Sequence, residues 1–370
     1  MNSNGYSAWL EIDLSRIKEN VKALASISQT EVMAIVKANG YGHGAAEIAE
    51  ASVEAGATWL GVARLEEAMA LRRAGINCHI LVLGYTSPDR IAEAVNHNIC
   101  LTIYDAGIGE AYAEKASKFG GGLRLHIKVD TGMGRLGISP DTAQSFIESI
   151  SRQPQLNIEG IFTHFARADE PQVNTTLEQL EKFDKLIRNL KRVGIAPRYI
   201  HASNSAAILN FPQANYNLVR PGIALYGYAP SPETPLRENI KPALTWKTRL
   251  TSVRTFPAGH GISYGHIYYT RKAERIGSIA IGYADGYRRV NGNIALVNGR
   301  RVPVVGRVCM DQCMLQLDEV PDAQVGDEVV LLGHQGNENI TAEEIAERWS
   351  TFNYEVICGL SARLPRIYDK

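Results

Sequence analysis

The residues with the most chemical potential in this chain close short apolar runs. Lys37 ends the run MAIVK, and Asn39-Gly40-Tyr41-Gly42-His43-Gly44 follows it closely. An apolar strand that delivers a lysine desolvates its amine, lowers its pKa and makes the neutral form available as a Schiff-base nucleophile. Further runs end in Lys128-Val129-Asp130 with Arg135 beyond, in Thr163-His164, in Ser203-Asn204-Ser205 and in Arg220-Pro221-Gly222. Together these termini are cationic and polar, with hydroxyls and amides suited to a phosphate-bearing ligand.

The elements that must position them alternate strictly. Strand-like runs are expected at 31–36, 58–62, 79–83, 99–103, 123–129, 158–163, 199–202 and 217–219, with helical spacing between. Asp13, Asp105 and Ser139-Pro140 begin helices, and Gly56 and Gly75 end them. Eight strands alternating with about eight helices fit an α/β fold, a (β/α)₈ barrel of parallel strands. In such a barrel the strands' C-terminal ends share one mouth, which would gather the residues above. An open doubly wound sheet is the rival. The polar, proline-rich Ser231–Pro235 reads as a linker. Beyond it lie β-type runs separated by glycine, the hairpin signal Asn298-Gly299, and a helix at 342–349 capped by Thr341. The expected domains are a barrel at 1–235 and a mostly antiparallel β domain at 236–370.

Composition narrows the function class. The 370 residues are 45% hydrophobic, and 39 basic residues balance 39 acidic ones, which argues against nucleic-acid or membrane-surface binding. No apolar run approaches a membrane span, and Met1–Tyr6 does not look like a secretory signal. Five scattered cysteines without a CxxC pair fit reduced thiols in a cytoplasmic protein. Gly132-Met133-Gly134-Arg135-Leu136-Gly137 is a literal GxGxxG, but Ser139-Pro140 starts the helix after it and Glu159 opens the next strand instead of ending it. The histidines show no HExxH, HxH or i,i+4 pair, so no metal site is expected. His126, His164 and His201 could approach one another inside a barrel, with His126 and His201 as hydrogen-bonded structural residues.

The strings AIVKANGYGHG, HIKVDTGMGRLG, THFARADE, SNSAA, VRPGIALYG, GISYG, GYADG and GRVCMDQ, in order along the chain, resemble the alanine racemase family. The resemblance implies a pyridoxal 5'-phosphate enzyme and a homodimer, each site combining one subunit's barrel with the other's β domain. Lys37 would carry the cofactor and act as acid and base on one face of the substrate. Tyr264, supplied in trans, would act on the other, because racemisation needs proton transfer on both faces. A phenol of ordinary pKa near 10 needs help, and His164 is the family's candidate. Arg220 would donate to the pyridine nitrogen without protonating it, weakening the electron sink and disfavouring transamination.

Tyr41, Ser205, Gly222, Ile223 and Tyr354 match phosphate-binding positions. Arg135 and the Met310 N–H, again in trans, match the holders of the substrate carboxylate. Lys128, carbamylated in some relatives, would orient Arg135; unmodified, it would form a costly like-charge pair. Tyr283 and Asp311 support the site. Arg167 and Phe352 depart from the family pattern and bear on substrate access. Cys309 resembles a cysteine of the related decarboxylases, though GRVCMDQ fits the racemases better.

The expected activity is interconversion of L- and D-alanine, supplying D-alanine for peptidoglycan, with weaker action on serine. Tyr264, Tyr283 and Tyr354 would leave room for little beyond a methyl, and one extra group costs only about 1–3 kcal/mol. The alternatives are a decarboxylase on the same fold, a serine or broad-specificity racemase, a non-catalytic cofactor carrier and a cofactor-free barrel hydrolase. Arg220 and the GISYG tyrosine disfavour the decarboxylase, and the β domain disfavours the carrier. A hydrolase would leave Lys37 and Arg220 without a task.

Overall fold

The computed structural model describes residues 5–120 and 122–369; part of the N-terminal segment read for a signal therefore lies outside the described residues. The chain divides into two compact units. One is Arg16–Gly40 with Ala45–Pro242; the other joins the residues up to Ser15, Tyr41–Gly44 and the chain from Ala243.

The first strand, β1 (Ala8–Asp13), belongs to the second of these. The barrel strands are β2 (Glu31–Ile35), β3 (Trp59–Val62), β4 (His79–Val82), β5 (Cys100–Ile103), β6 (Leu123–Lys128), β7 (Leu156–Phe162), β8 (Tyr199–His201) and β9 (Leu218–Val219). All pair in parallel, from β8 through β7 and on to β2 and β9. The ring closes where Asn217 N donates to Ile200 O and Arg220 N to Ser203 O. β3 and β5 are buried at every position, as expected of strands covered on both faces. Helices begin where the caps predict: Asp105 accepts from Ile108 N ahead of Ala106–Ser117, and Pro140 starts Pro140–Ser151.

The second unit continues with β10 (Leu244–Phe256), β11 (Gly261–Ile262), β12 (Tyr268–Tyr269), β13 (Glu274–Ile279), β14 (Ile294–Val297), β15 (Arg300–Val305), β16 (Cys313–Gln316), β17 (Glu328–Gln335), β18 (Glu338–Ile340) and β19 (Arg366–Asp369). Its main sheet runs β18-β17-β14-β15-β16-β13-β10-β1-β19, and an extra β10–β17 pairing curls six strands into a ring. Every pairing is antiparallel except that of β1 with β19. Asn298 and Gly299, both at positive φ, turn β14 into β15 as the hairpin signal predicts.

Three details differ from the sequence expectation. The units do not divide at 235/236: β1 pairs with β10 and β19, so it is a β-unit strand. Ser231–Pro235 is no free linker, since Ser231 and Thr234 both donate to Asp169 O and Thr234 is fully buried. Glu159 lies inside β7, where Arg124 engages its carboxylate at 2.8 and 2.7 Å. No helix among the described residues is long and apolar enough to cross a membrane.

Candidate active site

The barrel unit brings most of the cationic residues to the C-terminal ends of its strands. Lys37 stands two residues past the end of β2 and is half-buried, less enclosed than its apolar run implies. After it the backbone turns left-handed at Ala38 (φ 53°), Asn39 (φ 53°), Gly40 (φ 60°) and Tyr41 (φ 51°). For Ala38 and Tyr41 this costs about 1–2 kcal/mol each. The turn is tied down by Gly40 N to Val36 O at 2.9 Å, Ala38 N to Glu67 Oε1 at 2.7 Å and Ala45 N to Asn39 Oδ1 at 3.0 Å. Strain of this kind, held by several bonds, fixes the chain that follows Lys37.

Lys128 ends β6, buried, with its ammonium over the Phe162 ring at 5.5 Å. Burial, then Arg135, Arg220 and Lys37, push it down to about 8, with Asp130 opposing them. The expected like-charge crowd is therefore present. Arg135 is exposed on the loop that leaves and rejoins the barrel between Val129 and Ile138. The glycines of the literal GxGxxG explain this loop. Gly132, Met133 and Gly134 all donate backbone N–H groups to the Asp130 carboxylate, at 2.8–3.1 Å. Gly137, at φ 140°, runs so near Asp130 that a Cβ would sit 2.4 Å from its nitrogen. The motif wraps an internal carboxylate and presents Arg135. Partial burial raises the Asp130 carboxyl, but these N–H bonds and Lys128 outweigh it and hold it below its ordinary value.

Arg220 follows β9 and is buried. Its Nη1 lies 2.8 Å from His201 Nδ1; Nη2 donates to Thr163 O at 2.7 Å and Ala202 O at 2.9 Å, and lies 3.2 Å from His164 Nδ1. Its Nε–H has no partner among the described residues. Burial, then Arg220, Arg135, Lys128 and Lys37, hold His164 well below the usual imidazole range, so it is neutral. His126 and His201, read from sequence as hydrogen-bonded residues, bond to each other at 2.8 Å. Ser205 Oγ accepts from Gly222 N at 2.9 Å and Ala224 N at 3.2 Å, and Asn204 caps the short helix Ser205–Asn210. Ser203 Oγ is buried without a hydrogen-bond partner among the described residues.

The β unit holds the remaining candidates. Tyr41 is buried 6.2 Å from Tyr354, ring centre to ring centre, and burial, then Tyr354 and Cys358, raise its phenol far above the ordinary value. Tyr264 opens a tight turn between Ser263 and Gly265, both at positive φ, and Ser263 Oγ donates to Arg307 O at 2.7 Å. Tyr283 N donates to Cys309 O and Ala284 N to Met310 O, while a Cβ on Gly282 would lie 2.2 Å from Met310 O. These bonds zip the Tyr283 turn to the Met310 loop. Tyr264 (69%), Phe352 (59%), Met310 (54%) and Tyr283 (46%) are open to solvent in the single chain. Arg167, in the barrel unit, is exposed and pairs with Glu170.

A model of the alanine racemase N-terminal domain matches residues 12–230, and one of the C-terminal domain matches 243–368. The chain belongs to the alanine racemase family. It is 46% identical over 363 residues to the alanine racemase of Symbiobacterium thermophilum, covering 97% of this chain and 96% of that protein. It resembles the crystal structure of alanine racemase from Bacillus anthracis with bound L-Ala-P (TM-score 0.91, 41% identity, 98% and 95% covered). A histidine racemase from Leuconostoc mesenteroides subsp. sake shares the fold across both full chains (TM-score 0.92, 31% identity).

Within this alanine racemase fold, sequence reasoning missed the supports behind the site. Arg363 bonds Asp285 at 2.6 and 3.1 Å and Asp311 at 2.7 Å. Asp285 in turn accepts from Gly282 N at 2.8 Å, so Asp311 braces the Tyr283 turn through Arg363. Glu67 holds Ala38, Ala63 and Arg64 N–H groups at once. The visible signals were the aspartates in GYADG and GRVCMDQ; Glu67 and Arg363 carried none.

Proposed function

We propose that the protein interconverts L- and D-alanine with pyridoxal 5'-phosphate, working in the cytoplasm as a homodimer and supplying D-alanine for peptidoglycan. The observation that carries this is Arg220: a buried guanidinium, locked through both Nη atoms, whose Nε–H remains to donate. The donor set fits the cofactor. Arg220 offers its ring nitrogen a permanent donor, and Ser205 Oγ, already accepting two N–H groups, has its own proton left for a phosphate oxygen. Lys37, Tyr41, His164, Ser205, Arg220, Gly222, Ile223 and Tyr354 would hold it. When bound, the cofactor would draw electrons from the substrate and make its α-proton acidic.

The chain's own groups divide the rest of the work. Lys37 takes or returns the α-proton on one face, and Tyr264 of a second copy does so on the other. Exposure of Tyr264 and Met310 in the single chain supports their use by a partner. His164 presents its Nδ1 lone pair to Arg220, so its proton sits on Nε2, where it can donate to a tyrosine oxygen and favour the ionised phenol. Arg135 and the Met310 N–H, which donates to nothing among the described residues, hold the substrate carboxylate. Lys128 backs Arg135; Tyr264, Tyr283 and Tyr354 keep the pocket narrow, and Asp311 braces the Tyr283 turn through Arg363. A decarboxylase is disfavoured, since its relatives place a carboxylate where Arg220 stands.

Proton NMR with chiral analysis of L-alanine in deuterated water tests this. α-Deuterated D-alanine establishes the reaction. Unchanged L-alanine beside cofactor-loaded protein overturns the alanine assignment and moves the search to serine and larger side chains, a breadth illustrated by the histidine racemase on this fold. Lys37→Ala should abolish the visible absorbance of the loaded protein; an unchanged spectrum would remove Lys37 from the cofactor site.

A further inference from the structure

Arg220, His201 and His126 form a chain whose hydrogen-bond direction is fixed atom by atom. A guanidinium only donates. His201 Nδ1, 2.8 Å from Arg220 Nη1, must therefore present its lone pair. Neutral His201 then carries its proton on Nε2. That N–H stands 2.8 Å from His126 Nδ1, which must accept, so His126 carries its proton on Nε2 as well. Both rings are neutral: burial, Arg220 and His126 hold His201 well below its ordinary value, and burial, Arg124, Arg220 and His79 bring His126 to about 3.

The last N–H of the chain is an oddity. His126 is fully buried, yet its Nε2 has no hydrogen-bond partner among the described residues. Folded proteins rarely keep such a group. Cys100 and Glu159 bring a thiol and a carboxylate within 4.8 Å of an imidazole nitrogen, but Glu159 is committed to Arg124 at 2.8 and 2.7 Å. The other tautomer of His126 would set its Nδ1–H against the His201 N–H, donor against donor. An orphaned donor is the cost of a chain polarised from Arg220 outward.

Packing removes the freedom to reorganise. Trp59 lies 5.0 Å from the His126 ring, and a Cβ on Gly160 would stand 2.6 Å from it. His201 stacks on Phe162 at 4.7 Å with a 5° interplanar angle, and Arg220 lies over the same Phe162 ring at 5.3 Å.

We propose that His126 is a positioning residue for Arg220, holding His201 in the Nε2–H tautomer so that its Nδ1 anchors the guanidinium. The proposal deepens the reading above, on which it rests for the task of Arg220. It assigns work to a side chain deep in the barrel that is linked to Arg220 by hydrogen bonds through His201.

Neutron diffraction of the deuterated, cofactor-loaded protein reads the chain directly. Deuterium on Nε2 of both His126 and His201, with none on either Nδ1, is expected; deuterium on either Nδ1 overturns the proposal. Two variants read the consequence. His126→Phe keeps the ring's bulk and removes the acceptor, whereas His126→Asn keeps an oxygen near the Nδ1 position. Leaving the His201 N–H unpaired should lower kcat roughly 10- to 100-fold in His126→Phe, with little change in KM for alanine. The visible spectrum of the loaded protein should shift with it, and His126→Asn should recover most of both. Cys100→Ala, in the same barrel interior, should lower thermal stability without moving the spectrum. An unchanged spectrum and kcat in His126→Phe, or no recovery in His126→Asn, would show a merely structural histidine. If His126→Phe fails to fold, the neutron result decides. A wild-type protein that binds cofactor and does not racemise alanine overturns the function proposed above, while the proton positions still judge this one.

Discussion

Lys128 gives the sharpest quantitative test, because a buried ammonium facing three cations must penalise folding. Its folded value is about 8 against an ordinary 10.5. At about 1.4 kcal/mol per pH unit, that gap corresponds to about 3 kcal/mol. The sign follows from proton counting. Between about pH 8 and 10.5 the unfolded chain keeps the proton that the folded chain has lost, so stability rises with pH across that window. Below pH 8 both states are charged and the full penalty stands. Lys128→Met fills the same space without charge. It should be about 3 kcal/mol more stable than wild type at pH 7. The advantage should shrink above pH 8 and vanish near 10.5. Urea unfolding of both proteins in carbon-dioxide-depleted buffers, taken as a difference at each pH, isolates this residue. A variant less stable at pH 7, or a difference that ignores pH, would refute the argument. Bicarbonate adds a second arm. A lysine with a sizeable neutral fraction at pH 8 can be carbamylated, turning a repelled cation into an anion among Arg135, Arg220 and Lys37. Bicarbonate should then raise the wild-type urea midpoint and leave that of Lys128→Met in place.

Other outcomes follow from single residues. Tyr264→Ala should slow α-proton exchange by about 10²–10⁴-fold from one enantiomer of alanine only, as followed by deuterium incorporation; equal losses from both would remove the two-face division. Arg220→Glu sets a carboxylate against Thr163 O and Ala202 O, so it should bind a proton more tightly, and pyruvate release from alanine should rise. Constant pyruvate would take Arg220 out of the tuning role. Gly42→Ala places a Cβ 2.1 Å from Ile357 O at a residue with φ 84°, and a loss of about 3 kcal/mol or more in denaturant unfolding is expected. A neutral Gly42→Ala would mean that the Ile357 segment yields easily.

Much of the barrel was legible because its signals are local. Runs of buried β-branched residues mark the strands, and Asp105, Pro140 and Thr341 mark helix starts within a residue. Candidate residues at strand ends were legible for the same reason, since a strand's last residue is adjacent in sequence to its loop. What stayed hidden depends on distant partners. AWLEID alternates like any half-buried strand, and nothing in it says that its neighbours lie at 244–248 and 366–369. Arg363 is one arginine among many until Asp285 and Asp311 are brought to it. The left-handed turn after Lys37 runs through Ala38 and Tyr41, residues with no preference for that conformation. The GxGxxG string could be set aside as a dinucleotide motif, but what its backbone wraps, Asp130, was visible only in the fold.

The parallel pairing of β1 with β19 also sets an order of assembly. Everything the barrel needs is synthesised by Pro242, and its strand pairings join sequential neighbours except where β2 meets β9. β1, made first, has no strand to pair with until β10 and β19 emerge more than 200 residues later. While the ribosome completes the chain, Ala8–Asp13 is an unpaired strand edge, the kind of segment that recruits other chains. A fragment cut after the barrel would carry that edge permanently. Removing the first fifteen residues along with everything past 242 should make the isolated barrel more soluble, whereas a simple C-terminal truncation should aggregate.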